Sequence, residues 1–372
     1  MEQQECRAGN LIKDFKLVKE DLIMPTDKNK YKIDPKKPSI CMVGWHSCIR
    51  LTKMSLVLAE RGYRLGLITN RLPTAWNIYD RVLSYNDDSQ FQEALDTMKD
   101  DYDIFHIHNE PNALLIRTSV KVPNKPLILD MHDLNILRKG HCREDEILAI
   151  TRSDAMVHVS KPIEDFVNEL YNYKNPTITI ESRCPKGFLT EDKGHMRYDI
   201  VYEGGLRMPE DLQDFSYRDI FPIAHALRQE GYKFHYYGPV DKNVINKYKE
   251  AGAICHGGRN YPDLLKELVA YRYGWTGFIQ DPPKRHVRWA MTNKFFEYIN
   301  CGTPPMVYNT EEQIKLVEKY NIGVVIKSIQ GLREQIESYD WNELHSNLLK
   351  VREEIAMENH IQPLEELYEK LR

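Results

Sequence analysis

A chain of 372 residues, 42% hydrophobic and 28% charged, has globular composition and is too long for one small core, which excludes a fibrous or mostly disordered class and favours two domains. The formal net charge of -4 argues against nucleic-acid binding through a broadly basic surface and leaves only a local basic groove open. Seven scattered cysteines with no C-x-x-C pair read as reduced thiols, no apolar run approaches the about 20 residues of a membrane helix, and "MEQQECRAGN" has no signal-peptide core, so a cytoplasmic protein is expected.

Residues 1–37 form an extension, a weakly amphipathic "LIKDFKLVKEDLIM" followed by the polar "PTDKNKYKIDPKKP". From Ser39 short apolar runs alternate with amphipathic stretches, the pattern of strands and helices in βαβ order and hence of a parallel sheet. "SICMVG" (39–44) reads as a strand, "LTKMSLVLAERG" (51–62) as a helix closed by Gly62 and "RLGLIT" (64–69) as the next strand. "DIFHIH" (103–108), "PLILDMH" (126–132) and "AMVHVS" (155–160) continue the series and complete a first doubly wound domain, 38–190. After the turn-rich passage 177–196, a second series begins: "DIVYEGG" (199–205), "KFHYYGP" (233–239), "GAICHGG" (252–258), "TGFIQ" (276–280), "PPMVYN" (304–309) and "GVVIK" (323–327). It defines a second domain, 191–350. The last segment, 351–372, is a helix pattern with no strand after it, placed to cross back to the first domain. Two Rossmann-like domains then face each other across a cleft, and ligands of open α/β sheets bind outside the carboxyl ends of the strands.

The densest chemistry lies in "MTNKFFEYINCGTPPMVYNT" (291–310). Thr292 is a cap for a helix starting at Asn293, and Gly302 ends it in the left-handed conformation. A helix N-terminus there suits a phosphate, and Lys294 adds a full charge. Glu297, three residues on, shares a face with Lys294 and suits a sugar diol; the pair taken alone reads rather as a solvated ion pair, and the context of the domain changes that weighting. In the same domain "YEGGLR" (202–207) sets Gly204, Gly205 and Arg207 after a strand, where backbone approaches a phosphate closely and Arg207 grips it. "CHGGRN" (255–260) adds Gly257, with turn formation as its other reading.

"TNKFFEYINCGTPPMV" resembles the donor segment of the GT-B glycosyltransferases, most closely the retaining family GT4, usually of the form N-K-x-x-E-Y-x-x-x-G-x-P-x-V. "GYRLGLITN", "DIFHIHNEP", "LILDMHDL", "SDAMVHVSKPIEDFV", "DIVYEGGL", "YYGP" and "YPDLLKEL" agree in order, and the resemblance covers roughly 38–372. It implies transfer of a sugar from a nucleotide diphosphate sugar to an acceptor hydroxyl, with retention, without a metal and with no cofactor besides the donor substrate. It makes Glu297 the ribose or donor-sugar contact, with Asn293 beside it. Lys294 and Arg207 become the diphosphate contacts, Gly204 and Gly205 the close-approach backbone, and His132 in "MHD" a catalytic group across the cleft. In many relatives a further Glu stands eight positions before the one matching Glu297; here that position is Trp289, although a subset with the N-K-x-x-E form also lacks it. That departure keeps two alternatives alive, a GT-B protein that binds nucleotide sugar without transferring it and a GT-B epimerase. A phosphorylase is disfavoured, because no lysine is placed for a covalent pyridoxal group.

The acceptor, a glycan, a small molecule or a modified nucleobase, is expected in first-domain loops, including "GWHSCIR" (44–50) with Gly44 and His46. Trp45, Trp76 and Tyr79 either stack on a sugar or base or pack the loops. Arg138, Lys139 and Arg143 either serve an anionic acceptor or form a solvated loop. Asp101 and Asp103 read as turn residues. His106 and His108 in "HIHN" are read as lying on opposite faces of a strand, which disfavours a shared metal, and His141 with Cys142 has no partner pair at zinc spacing. No metal site is expected, and all the expected nucleotide contacts fall in the second domain.

Overall fold

The computed structural model of the protein describes residues 31–46, 48–71, 76–192, 198–206, 219–238, 242–279 and 284–372. The first sheet has strands β1 (Ile40–Gly44), β2 (Leu65–Thr69), β3 (Arg81–Ser84), β4 (Ile104–His108), β5 (Leu127–Met131), β6 (Ala155–His158) and β7 (Thr177–Thr179). Their order is β3-β2-β1-β4-β5-β6-β7. The second has β8 (Tyr198–Glu203), β9 (Phe234–Tyr237), β10 (Ile254–Cys255), β11 (Tyr271–Trp275), β12 (Pro305–Val307) and β13 (Val324–Val325) in the order β10-β9-β8-β11-β12-β13. Every pairing is parallel.

Strands β1, β2, β4, β5 and β6 are buried along their whole length. Helices cover both faces of a parallel sheet, so its inner strands have no polar side, and this is why they read as continuous apolar runs. The order reverses at β1 in the first sheet and at β8 in the second. Chain leaving the carboxyl ends beside each reversal diverges and opens a crevice.

One strand lies elsewhere than its sequence pattern predicts. The chain pairs through β11, "YRYGW", rather than through "TGFIQ" at 276–280, whose last residue lies outside the described set. Tyr271, Tyr273 and Trp275 are buried, so alternate aromatics make the better core strand, and residues 276–279 run on past the carboxyl edge. A Cβ on Gly274 would sit 2.3 Å from Tyr298 Cγ, so this glycine lets the helix Asn293–Asn300 seat directly on β11. That helix buries Phe295, Phe296, Tyr298 and Ile299, each worth roughly 1.5–3 kcal/mol of transfer free energy.

The same helix ends as its sequence suggests. Gly302 has φ +69°, its N–H donates to the Ile299 carbonyl at 3.2 Å, and Thr303 N–H donates to the Tyr298 carbonyl at 2.9 Å. Its start differs. Thr292 occupies the capping position, but its hydroxyl does not cap; it lies 3.2 Å from the Thr276 hydroxyl and 3.4 Å from Gln313 Nε2. The first-turn N–H groups are thus not covered by their own cap residue.

The helix Gln362–Leu371 lies against the first sheet. Leu364, Leu367 and Tyr368 share a core with Ile40, Met42 and Leu67, and Tyr368 Oη is 2.7 Å from His106 Nδ1.

Candidate active site

A cavity of about 380 Å³ lies between the carboxyl ends of the two sheets. Its second-domain wall is the turn after β8 and the first turns of the helix Asn293–Asn300, which contributes Asn293, Lys294 and Glu297. Lys294 Nζ sits over the rings of Tyr202 and Phe278, 5.3 and 5.5 Å from their centroids. Gly204 has φ +132°, and a Cβ there would come within 3.4 Å of Lys294 Cε. The glycine is required by its backbone conformation, and a Cβ would only touch the lysine beside it. Gly204 N–H is engaged in the sheet, donating to the Tyr237 carbonyl at 3.0 Å. The open side of the turn is Gly205, where a Cβ would meet nothing within 4 Å.

Glu297 does not turn to Lys294. Its Oε1 accepts a hydrogen bond of 2.8 Å from Lys53 Nζ, which also donates to Asn293 Oδ1 at 3.3 Å and to the Ser182 carbonyl at 3.4 Å. Lys53 belongs to the first domain, on the helix Ile49–Glu60, and it is fully buried. Burial pushes its ammonium down, but Cys184 and Glu297 facing it more than reverse this and leave it above an ordinary lysine. Glu297 behaves symmetrically. Burial raises its carboxyl, and Lys53, with hydrogen bonds from Glu203 and Tyr261, outweighs that and holds it below the usual range. Glu203, the last residue of β8, goes the other way: burial and the charge on Glu297 push it well above a normal carboxyl, so it keeps its proton. The wall therefore carries the Lys294 cation, the Glu297 carboxylate and the neutral acid Glu203, with the buried Lys53 of the first domain behind Glu297.

The first-domain wall is organised around Asp130, fully buried on β5. Arg50 Nε lies 2.9 Å from one of its oxygens and 3.2 Å from the other, while Arg50 Nη1 donates to the Ile180 carbonyl at 2.7 Å. Three imidazoles complete the surroundings: His106 at 3.6 Å, His108 at 3.7 Å and His132 at 3.4 Å. Burial would raise Asp130, but Arg50 and the imidazoles hold it well below the usual carboxylate range. His132 follows directly after β5, reaches the cavity and keeps its side chain 21% exposed. Its backbone N–H donates to Asn109 Oδ1 at 2.8 Å, which fixes the turn. Burial lowers its pKa against the pull of Asp130, so it is a neutral imidazole at neutral pH.

His106 and His108 require a correction. They stack on one face with centroids 4.8 Å apart and planes at 16°. Residues two apart in a strand share a face, and only neighbours alternate. Ligand atoms of His106, His108 and Asp130 lie within 4.8 Å of one another, as do those of Cys48, His108 and His132. In the first set the Arg50 guanidinium already occupies the cation's place beside Asp130.

Of the residues singled out from sequence, His132, Gly204, Gly205, Asn293, Lys294 and Glu297 line this same cavity. Arg207 lies outside the described residues, as does the side chain of Trp76. Gly44, His46 and Gly257 are not brought into the cavity wall. Gly44 ends β1 with its carbonyl 3.3 Å from Tyr85 Oη, His46 Nδ1 is 2.8 Å from Asn70 Oδ1, and the Gly257 carbonyl accepts from Gly238 N–H at 3.2 Å. Tyr79 is buried in the first-domain core, so it packs rather than stacks on a ligand. Arg138 is buried and paired with Glu110 and Asp133, which uses its charge internally. Trp289 packs on Phe166 of the first domain at 5.8 Å, with Arg285 over its ring at 5.6 Å. Trp289 therefore makes an interdomain apolar contact.

Lys53, Arg50 and Glu203 were missed by sequence reasoning. The available signal was two cations, Arg50 and Lys53, inside "IRLTKMSLVLA", a helix otherwise apolar on the face that carries them.

No protein-family model and no curated protein sequence matches the chain. Solved structures do. Sucrose-phosphate synthase from Thermosynechococcus elongatus is similar with a TM-score of 0.64 at 12% identity, over 90% of this chain and 99% of that one. A UDP-forming α,α-trehalose-phosphate synthase from Burkholderia xenovorans gives 0.59 at 8% identity, over 89% and 100%. A UDP-N-acetylglucosamine 2-epimerase described from Listeria monocytogenes gives 0.54 at 14% identity, over 87% and 95%. Among the described residues no helix is long and apolar enough to cross a membrane. At these identities the likeness is one of fold: two parallel-sheet α/β domains in the GT-B arrangement.

Proposed function

We propose that the chain is a glycosyltransferase that moves a sugar from a nucleotide diphosphate sugar to an acceptor hydroxyl, with retention of configuration and without a metal. The observation that carries this reading is the cavity wall where Lys294, at the start of a helix, faces the Gly204–Gly205 turn with neutral His132 on the opposite domain. Cleavage of the donor leaves negative charge on the departing diphosphate and positive charge on the anomeric carbon. Lys294 and the N–H groups of the helix start would take the first, which is the work a divalent ion does elsewhere. Arg207, by its position in "YEGGLR", would add to that cluster.

Neutral His132 would take a hydrogen bond from a sugar or acceptor hydroxyl on the far side. The cavity carboxyl groups do not resemble a nucleophile. Glu203 is protonated, Glu297 is tied to Lys53 and Asp133 is paired with Arg138, so a departing phosphate oxygen is the better acceptor of the incoming hydroxyl's proton. The resemblance to GT4 supports retention.

A second reading rests on Trp289 and on the epimerase among the similar folds: binding of a nucleotide sugar without transfer, or its epimerisation. Incubation with a panel of nucleotide sugars and candidate acceptors, with and without a chelator, separates the readings. Transfer gives free nucleoside diphosphate and a glycosylated product at a rate the chelator leaves unchanged. Release of nucleotide with an epimerised sugar, or binding with no turnover, supports the second reading instead.

A further inference from the structure

Three soft metal donors converge at the first-domain side of the cavity, each held by a different element. Cys48 stands at the start of the helix Ile49–Glu60, His108 ends β4 and His132 follows β5. One donor atom from each lies within 4.8 Å of the other two; Cys48 and His132 line the cavity, and His108 is buried. His132 Nε2 and His108 Nδ1 are 3.4 Å apart, with their rings inclined at 62°. That is long for a hydrogen bond, whereas two nitrogens each about 2.0–2.1 Å from one tetrahedral zinc stand about 3.4 Å apart. All three positions are braced. His108 pairs in register with Gly44 and Asp130 and stacks on His106, which is itself 2.7 Å from Tyr368 Oη. The His132 N–H donates to Asn109 Oδ1, and the Cys48 N–H donates to the His46 carbonyl at 2.7 Å.

We infer that Cys48, His108 and His132 form a site for one soft divalent cation of the zinc class, with a fourth coordination position open to the cavity. A thiolate with two imidazoles is a donor set that zinc and its neighbours take, whereas magnesium and calcium take oxygen ligands. Binding forms one sulfur–metal and two nitrogen–metal bonds, and the proton of the Cys48 thiol passes to the buffer. Asp130 lies 3.7 Å from His108 Nδ1 and 3.4 Å from His132 Nε2, but Arg50 already answers its charge, so the thiol supplies the anionic ligand. The site is separate from Lys294 and needs no sugar donor to fill. One consequence rests on the transfer reading above: a metal on His132 takes the lone pair that the neutral imidazole would offer to a hydroxyl. The cation is then an inhibitor of transfer and not its cofactor.

The test uses the full-length chain, stripped with a chelator, dialysed and titrated with cobalt(II), whose absorption reports both thiolate ligation and tetrahedral geometry. The parent should show a sulfur-to-cobalt charge-transfer band in the near ultraviolet and the visible bands of tetrahedral cobalt, all abolished by added zinc. Cys48→Ser should lose the charge-transfer band. His132→Ala, at a partly exposed position and checked as folded by its thermal transition, should bind cobalt at least about tenfold more weakly. A parent without the band overturns the site. So does a Cys48→Ser protein that keeps it, since the metal is then held by another of the seven cysteines. Unchanged affinity in folded His132→Ala likewise removes the histidine from the ligand set and contradicts the inference. None of these readouts needs turnover, so their failure leaves the transfer reading standing, and a failure of transfer leaves the metal site standing.

Discussion

Lys53 Nζ lies 2.8 Å from Glu297 Oε1, and the two residues come from different domains, 244 positions apart in the chain. Both are buried, so neither charge is answered by water. A carboxylate in the wall of the second domain therefore depends for its charge on a helix of the first.

Removing one partner of such a pair leaves the other buried and uncompensated, at a cost of about 3–5 kcal/mol. Lys53→Met is expected to lower the thermal midpoint well beyond what a surface lysine would. Lys53→Met combined with Glu297→Gln should recover much of the loss, since it leaves no uncompensated charge. The check is a double-mutant cycle in urea or temperature; additive effects of the two substitutions would show that the pair is not coupled.

Glu203 predicts a pH dependence of stability with a definite sign. Its folded carboxyl keeps a proton that the unfolded chain releases near the ordinary glutamate value of about 4.3. Above that value the folded state holds more protons than the unfolded, so stability falls as pH rises toward the raised folded value. Glu297 is opposite: its stabilisation is present above the ordinary value and is lost as pH falls through its lowered one. Glu203→Gln removes the first slope and leaves the second. Thermal midpoints between about pH 5 and pH 8 should show the variant gaining on the parent as pH rises; a constant difference would contradict the protonated assignment.

How much of this was legible in the chain follows from how local each feature is. The inner strands were readable because burial on both faces makes them apolar throughout, and the helix at Asn293 because Gly302 marks its end and its apolar spacing is strong. Edge strand β3, "RVLS", is exposed at both ends and carries no such pattern. β11 was misplaced because Arg272 interrupts its aromatics and "TGFIQ" looks more apolar. In the site, Lys294 and the Gly204–Gly205 turn were visible because phosphate contacts gather at helix and strand ends in one short segment each. Lys53 was invisible for the opposite reason: what makes it part of the site is a partner 244 residues away.

His132 is expected to act as a neutral imidazole, its proton affinity lowered by burial. His132→Ala should reduce turnover by about 10²-fold or more while changing donor affinity little. The parent's rate should stay level as pH falls from about 7 through the ordinary histidine value of about 6.5, because His132 protonates only below it. A rate that halves near pH 6.5 and loses that dependence in His132→Ala would show an ordinary, solvent-like histidine instead.

Lys294 offers the most direct measurement, because a nucleotide diphosphate requires a cation where this side chain meets the glycine turn and a nucleoside does not. Calorimetry of the full-length parent and of Lys294→Ala, each titrated with a nucleoside diphosphate and with the matching nucleoside, isolates that requirement. The expected result is a loss of about tenfold or more in diphosphate affinity, as for a charge-assisted hydrogen bond, with nucleoside affinity changed less than about twofold. Equal affinity of parent and variant for the diphosphate, with both proteins folded, would contradict a phosphate site at this helix start.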